Sequence, residues 1–233
     1  MVLKYKKKTV PSKKVYKKAK YAKKMLPKGT KSLEVKMTNS DSSVTDIAKL
    51  NYQMVDVNTT SAGPNNIDER IGNKINMKSI LVKKELRQNN PNLRACLVRH
   101  MIVYDRSCHG VKPPLFGTLA SQSILEDNAG DGITCIPNFN NRNRFVILSD
   151  AVRMLTSENN TSGSADRAVQ YYEKYVSLGN ALVEYSGPGG GMAEINKGAI
   201  YVITFAGLPT FNSGTGNFYP AVQTFTTIKY IDV

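Results

Sequence analysis

The sequence predicts an all-β fold, an antiparallel sandwich that follows a basic N-terminal segment. Runs of β-branched and aromatic residues recur along the chain, and long segments rich in Gly, Asn, Ser and Thr separate them. The chain shows neither the helix–strand alternation that builds a parallel sheet nor an internal repeat. Roughly eight strands joined by long loops are typical of a jelly roll. We therefore predict an eight-stranded antiparallel jelly-roll sandwich with a disordered basic N-terminal arm.

Pro27 and Gly29 mark a linker at the end of the basic segment, and the predicted strands follow it along the chain. A further short strand is expected within residues 38–73, and a short helix at residues 116–125 within a long connection. The Gly-rich segments 187–191 and 207–220 are expected to be loops. The predicted strands are residues 32–37, 74–86, 94–106, 145–149, 151–156 (the weakest), 169–185, 199–206 and 221–231.

The strand at residues 94–106 has apolar side chains on both of its faces, as in a sandwich. One face carries Cys96, Val98, His100, Ile102 and Tyr104, and the other carries Leu97, Arg99, Met101, Val103 and Asp105. Asp105 and Asp150 end apolar runs close to Arg106 and Arg144. This arrangement predicts ion pairs within the sheet, with pairs across a subunit interface as the alternative.

Residues 1–32 carry most of the charge of the chain. They contain thirteen lysines and no acid, and these lysines account for all but one unit of the formal net charge of +14. Burial of so many unpaired ammonium groups is too costly for a core. We therefore predict a disordered nucleic-acid-binding arm, residues 1–32, and a single jelly-roll domain, residues 33–233. The lysines expected to bind nucleic acid are Lys4, Lys6, Lys7, Lys8, Lys13, Lys14, Lys17, Lys18, Lys20, Lys23, Lys24, Lys28 and Lys31.

The partner expected for the arm is a polyanion, held without sequence preference. Tyr5, Tyr16 and Tyr21 lie among the lysines, where they are placed to stack on unpaired bases. Lysine without arginine favours attraction to phosphates over the reading of bases. A membrane is disfavoured, because the arm has no apolar stripe and the longest apolar segment, residues 199–208, is about half a bilayer span. A solubilising tail and a nuclear localisation signal are the alternative interpretations.

Candidate catalytic and metal-binding residues are few. The chain has two histidines, His100 and His109, and three cysteines, Cys96, Cys108 and Cys135. His100 is interpreted as a core or interface imidazole with a satisfied partner. Cys108 and His109 are adjacent but lack the spacing of a zinc site, and Met192 interrupts the phosphate-loop pattern that residues 187–191 begin. We therefore predict no enzyme activity, no catalytic residue, no metal and no cofactor.

Several segments of the body resemble the capsid proteins of CRESS-DNA viruses, the circovirus-like group. Residues 70–80 (RIGNKINMKSI) resemble the start of their first jelly-roll strand, and residues 99–105 (RHMIVYD) resemble the next strand. Residues 144–150 (RFVILSD) resemble the motif that follows, an Arg, an apolar run and an Asp. Residues 199–206 and 224–233 resemble the final two strands. The arm departs from the pattern, because many relatives have arginine where this chain has lysine.

The resemblance implies a viral capsid protein that self-assembles into a small icosahedral shell of the simplest, T=1-like kind. The implied partners are further copies of the chain, a single-stranded genome (DNA favoured over RNA) and an unidentified host receptor, with no membrane insertion. The implied locations are the virion and, during assembly, the host nucleus. Two alternatives stay open: a cellular nucleic-acid-binding protein whose sandwich binds a partner, and a metal-dependent enzyme of the cupin type, which two histidines disfavour.

Overall fold

The computed structural model describes residues 35–47, 51–63, 68–87, 95–118, 120–127, 132–156, 169–207 and 220–233. All of them belong to one compact unit, Leu33–Val233. The thirteen lysines of the arm lie outside these ranges, so the disordered arm and the division after residue 32 stay predictions.

The described residues form twelve strands, two 3-10 helices and no α-helix. The strands are β1 Lys36–Asp41, β2 Thr45–Asp46, β3 Gln53–Asp56, β4 Lys74–Arg87, β5 Ala95–Asp105, β6 Phe116–Gly117, β7 Leu125–Glu126, β8 Phe145–Thr156, β9 Val169–Tyr185, β10 Ile195–Lys197, β11 Ala199–Gly207 and β12 Ala221–Asp232. The 3-10 helices are Phe139–Asn141 and Met192–Glu194. β-branched and aromatic residues dominate β11 and β12, which suits a pleated, largely buried surface.

Two antiparallel sheets contain all the longer strands. Sheet 1 has the order β1-β12-β4-β9-β10, with β2 also paired to β12, and sheet 2 has the order β3-β11-β5-β8. Without the short β2, β6, β7 and β10, eight strands remain. The first of the eight pairs with the eighth, the second with the seventh, the third with the sixth and the fourth with the fifth. A long antiparallel ribbon wrapped around itself gives this nesting, which is the jelly roll that the sequence predicts.

The first two strand assignments inferred from the resemblance are shifted by two positions, whereas the final two strands are β11 and β12 as expected. Residues 70–80 lead into β4, which is the third of the eight strands, because β1 and β3 precede it. Both of these early strands are short and polar, KMTNSD and QMVD, and each occupies a sheet edge. Edge strands need little apolar surface, so their periodicity is weak in the sequence.

Two local predictions are also wrong. The described residues of the stretch 116–125 form no helix; the strands β6 and β7 lie at its two ends and pair in parallel. Asp150 does not end a strand, because β8 continues through it to Thr156. Its side chain is tolerated inside the strand because β8 is an edge strand and because a cation from β5 pairs with it.

The main core lies between the two sheets. On β4 the buried residues Ile75, Met77, Ile80 and Val82 face it, and a bulge beside Lys78 changes the phase of the alternation. The inner faces of β5 and β11 supply further buried aliphatic residues to the same cluster. Each buried aliphatic side chain contributes about 1.5–3 kcal/mol by leaving water, so this core is the main source of stability.

Candidate functional site

The connection between β5 and β8 covers the outer face of sheet 2. Its Phe116 packs edge-to-face on Phe205 of β11, with 5.2 Å between the ring centroids, and Leu115 and Ile124 beside it are fully buried. All nine residues of β11 are buried as a result, because sheet 1 covers one face of this strand and the connection covers the other. The long loop is therefore a structural layer of the body.

Arg99 of β5 fixes this layer to the sheet. Its Nε and Nη2 donate to the two carboxylate oxygens of Asp150, at 2.9 and 2.6 Å. Its Nη1 donates to the backbone carbonyls of Ile133 and Cys135 in the connection, at 2.9 and 2.5 Å. Since Arg99 is only 5% exposed, the guanidinium depends on these acceptors for its charge to be tolerated.

A second bidentate pair closes the two ends of the connection. Arg144 donates through Nε and Nη2 to the carboxylate of the fully buried Asp105, at 2.9 and 2.8 Å. The hydrogen bonds to Asp105 raise the pKa of the Arg144 guanidinium. Ion pairs within the sheet are present at Asp105 and Asp150 as predicted, but the partners differ from the expected ones, because Arg144 pairs with Asp105 and Arg99 pairs with Asp150.

The outer face of sheet 1 is uncovered in the part of the chain that the structure describes. Cross-strand register places its side chains in rows across β9, β4 and β12. These rows are Tyr175–Leu81–Thr227, Glu173–Lys83–Phe225 and Tyr171–Glu85–Gln223. Tyr171 is 77% exposed, Tyr175 63% and Phe225 40%, which is an unusual concentration of aromatic surface.

The charges on this face largely balance. Lys83 Nζ lies 3.5 Å from the Glu173 carboxylate, and Arg87 Nε donates to Glu85 at 2.6 Å. The face is therefore aromatic with paired charges, and it lacks the strong positive potential expected of an independent polyanion site. Packing against another protein surface or stacking on bases is the chemistry it offers.

A buried polar layer crosses the sandwich and separates the main core from a smaller apolar cluster around Leu86 and Val98. In this layer, Lys84 Nζ donates to Thr204 Oγ1 at 2.5 Å and to the carbonyl of Ile203 at 3.2 Å. Burial lowers the pKa of Lys84 to about 7. The layer therefore titrates at a pH where an exposed lysine stays charged.

His100 lies beside Lys84 in the same layer. Its Nδ1 is 3.5 Å from Lys84 Nζ, and its ring stacks on Tyr172 with 4.3 Å between the centroids. Burial, followed by the charges of Lys84 and Arg153, lowers the pKa of His100 well below its ordinary value. The predicted core imidazole is therefore present, but only its Nδ1 has a neighbouring polar group, because Nε2 has no partner among the described residues.

The remaining candidate residues do not converge. The three cysteines are free and buried, and burial raises the pKa of Cys96 to about 12, which disfavours a reactive thiolate. The Cys108 thiol donates to the carbonyl of Ile195 at 2.9 Å, and His109 occupies a left-handed turn with φ of 48°. Within the described ranges, no three His, Cys, Asp or Glu side chains form a group suited to a metal ion.

The Gly-rich loop at residues 187–191 has a structural explanation. A Cβ on Gly190 would lie 2.4 Å from the carbonyl carbon of Thr60, so only glycine permits this approach of two backbones. Arg70 is fully buried, donates to the carbonyls of Gly187 and Thr60, and lies 4.0 Å above the ring of Tyr185. Arg70 belongs to one of the motifs in the sequence, but no sequence pattern indicates that its side chain is buried and joins two loops. This role depends on contacts between residues that are distant along the chain.

Comparisons with known proteins give no family assignment. No family model and no curated protein matches the chain. Among solved structures, the K3 cleaved adhesin domain of Lys-gingipain from Porphyromonas gingivalis is 12% identical, with 83% of this chain and 100% of that chain covered and a TM-score of 0.24. VP1 of Trichodysplasia spinulosa-associated polyomavirus, solved with 3'-sialyllactose, is 10% identical, with 86% and 96% covered and a TM-score of 0.27. TM-scores this low do not support an argument about function.

None of the helices in the described ranges is long and apolar enough to cross a bilayer.

Proposed function

We propose that this chain is a viral capsid protein without enzyme activity, whose copies assemble into a small T=1-like icosahedral shell around a single-stranded genome, with DNA favoured. The observation that carries the proposal is the combination of two parts in one chain. Thirteen lysines without an acid are followed by a jelly roll whose eight strands nest as one wrapped ribbon. The proposed locations are the virion and, during assembly, the host nucleus, and the receptor on the host is unidentified.

The distribution of charge supports different roles for the arm and the jelly-roll body. Residues 33–233 carry a formal charge of +1, because the thirteen lysines supply the rest of the +14. A nearly neutral body packs against its copies without strong repulsion, while many arms together provide a high positive potential for a polyanion. Each phosphate that a lysine neutralises releases counterions, so we expect genome retention to weaken steeply with salt.

The structure of the body is compatible with a building block. Two Arg–Asp pairs, each with one buried partner, and the connection layer stabilise one face, so the block does not need a partner on that side. The exposed aromatic residues of sheet 1, Tyr171 and Tyr175, and the exposed Val152 and Met154 of β8 offer surface for contacts between copies. Such patches on a soluble protein are typical of interaction sites.

Electron microscopy of the purified full-length protein tests assembly. We expect closed, uniform particles at low salt in the presence of single-stranded DNA. Monomers or small oligomers at every ionic strength and protein concentration tried would refute the shell.

A second candidate, a cellular nucleic-acid-binding protein, is favoured by the same exposed tyrosines, since aromatic side chains on a sheet can stack on bases. It predicts a discrete small species that binds single strands as a monomer. Sedimentation of the protein with a labelled oligonucleotide separates the two candidates, because only a shell sediments as a large particle.

A further inference from the structure

A pocket of about 100 Å³ opens between the two sheets at the end occupied by the smaller apolar cluster. Leu86 of β4, His100 of β5 and Arg153 of β8 line it, together with residues 170–173 of β9. One water needs roughly 10–15 Å³ on this measure of volume, so the pocket has room for a polar group larger than one water.

Two of the residues that line this pocket each carry a buried polar atom without a hydrogen-bond partner among the described residues. They are Nε2 of His100 and Oε1 of Gln170. His100 is 1% exposed, so bulk water does not satisfy its ring. Buried polar groups without partners cost free energy, and two of them on residues that line one pocket indicate a site that a ligand completes.

The neighbours of His100 determine which group it presents to the pocket. Lys84 Nζ already donates to Thr204 and to the carbonyl of Ile203, and the third proton of its ammonium form faces Nδ1 of His100 at 3.5 Å. Nδ1 then acts as the acceptor, so the ring proton resides on Nε2. Stacking on Tyr172 holds the plane of the ring, and Nε2–H becomes a fixed donor to the pocket.

The charge around the pocket is positive. Arg153 forms no ion pair with any carboxylate in the described ranges, whereas Glu173 has its carboxylate 3.5 Å from Lys83 Nζ. Lys84 in its ammonium form adds a second positive charge behind the imidazole. We propose that this pocket binds a small oxyanion of the phosphate class, with His100 Nε2–H and the Arg153 guanidinium donating to its oxygens and Gln170 Oε1 accepting from its P–OH group.

Binding is expected to be coupled to proton uptake by Lys84. The titratable or charged groups that face His100 are Lys84 from β4, Arg153 from β8 and Tyr172 from β9. When Lys84 loses its proton, its lone pair accepts from Nδ1–H, and Nε2 becomes an acceptor that repels an anion. Since burial lowers the pKa of Lys84 to about 7, we expect affinity to fall as the pH rises through neutrality.

The test uses full-length protein labelled with ¹⁵N-histidine and sedimented for magic-angle-spinning NMR, so that it works for monomers and particles alike. The chain has only two histidines, and the exposed His109 is an internal control. We expect inorganic phosphate to shift the Nε2 resonance of His100 to saturation and to leave His109 unchanged. This local signal also separates the pocket from phosphate bound non-specifically by the lysines of the arm.

Matched variants and probes decide the outcome. Arg153→Gln should weaken the phosphate-dependent shift about tenfold, whereas Lys174→Gln, an exposed cation on β9, should leave it unchanged. A shift with thymidine 5′-monophosphate as well as phosphate indicates that the pocket accepts a terminal phosphate, and a shift with phosphate alone indicates the free ion. No shift at tens of millimolar phosphate, an equal shift with uncharged thymidine, or no effect of Arg153→Gln would overturn the proposal. None of these outcomes bears on whether the protein forms a shell.

Discussion

The two sheets of the sandwich differ in what covers their outer faces. The outer face of sheet 2 lies under the connection between β5 and β8, and every residue of β11 is buried. The outer face of sheet 1 carries Tyr171 and Tyr175, which are more than half exposed. The two outer faces therefore have different roles, and the difference arises from one long loop and the two Arg–Asp pairs that hold it.

This contrast indicates where the body completes its own fold and where it remains available to partners. A covered face contributes to the stability of the monomer, since its side chains leave water on folding. An exposed aromatic face contributes little to the monomer and gains its free energy only on association. Substitutions on the two faces should therefore separate effects on folding from effects on assembly.

The largest expected effect is on the covered face. Phe205→Ala should lower the free energy of unfolding by about 3–5 kcal/mol, because it leaves a cavity beneath Phe116. Urea unfolding measures the change. Tyr175→Ala on the exposed face is the matched control, with an expected change within about 1 kcal/mol. Equal losses for the two variants would contradict the contrast between the faces.

The next effect concerns the attachment of the connection. Arg99→Met should lower the free energy of unfolding by about 3 kcal/mol, because Asp150 loses its partner and the carbonyls of Ile133 and Cys135 lose their donor. Hydrogen exchange should show the amides of the connection becoming less protected than those of β4. Arg106→Met, an exposed arginine at the start of the same connection, should change neither measurement. A loss spread evenly over the molecule would show that Arg99 does not act through the connection.

The polar layer predicts a dependence of stability on pH. The folded-state pKa of Lys84 is about 7 against an unfolded value of 10.5, so the unfolded chain binds more protons in this range. Stability should therefore rise as the pH rises, by about 2 kcal/mol from pH 7 to pH 9. Lys84→Met should lose this increment, and Lys174→Met, an exposed lysine on β9, should retain it. A wild-type profile that is flat over this range would show that Lys84 is not desolvated.

His100 extends the same prediction to acid pH. Burial and the nearby cations hold its folded-state pKa well below 6.5, so the unfolded chain takes up this proton first as the pH falls. Stability should therefore decrease below pH 6.5, and His100→Asn should reduce that decrease. Chemical unfolding at a series of pH values checks both titrations in one data set. If His100→Asn loses as much stability below pH 6.5 as the wild type does, other groups cause the decrease.

The smallest effect on folding should accompany a large effect on assembly. Replacing Tyr171 and Tyr175 together by Ser should change the free energy of unfolding by about 1 kcal/mol or less, because both are exposed. The same variant should assemble more weakly, since it removes the aromatic surface of sheet 1. Light scattering measures assembly, and the corresponding double Phe variant should retain it. Unchanged assembly of the Ser variant would exclude this face as a contact.

The parts of the fold that the sequence predicts best are those with local signals. The pattern predicts residues 169–185 as one strand, and β9 has the same limits, because aromatic and branched residues continue on both sides of Gly179 and Asn180, which have positive φ. The all-β class and the jelly roll are likewise confirmed. The limits of β1 and β3 are poorly predicted, because short polar edge strands have weak periodicity. The helix expected at residues 116–125 is replaced by β6 and β7, whose parallel pairing depends on a contact between residues that are separated in the sequence.

The sites were less accessible from the sequence, because each depends on strand register. Lys84 and His100 are 16 positions apart and meet only because β4 and β5 face each other across the sandwich. Arg99 was recognised as a residue on a mixed face, but its carbonyl partners lie more than 30 positions away. A charged residue inside an otherwise apolar strand was the available signal, and it indicates a partner without naming it. The lysines of the arm were evident from composition alone.

The central claim is that residues 33–233 form the shell and residues 1–32 bind the genome. A comparison of the full-length chain with a chain that lacks residues 1–32 tests it. Both are sedimented after nuclease treatment at increasing salt, and the nucleic acid in the particle fraction is measured. We expect both chains to form particles, with protected single-stranded nucleic acid only in the full-length particles and in amounts that fall as salt rises. Equal retention by the truncated particles at moderate salt, or no particles from either chain, would contradict the account.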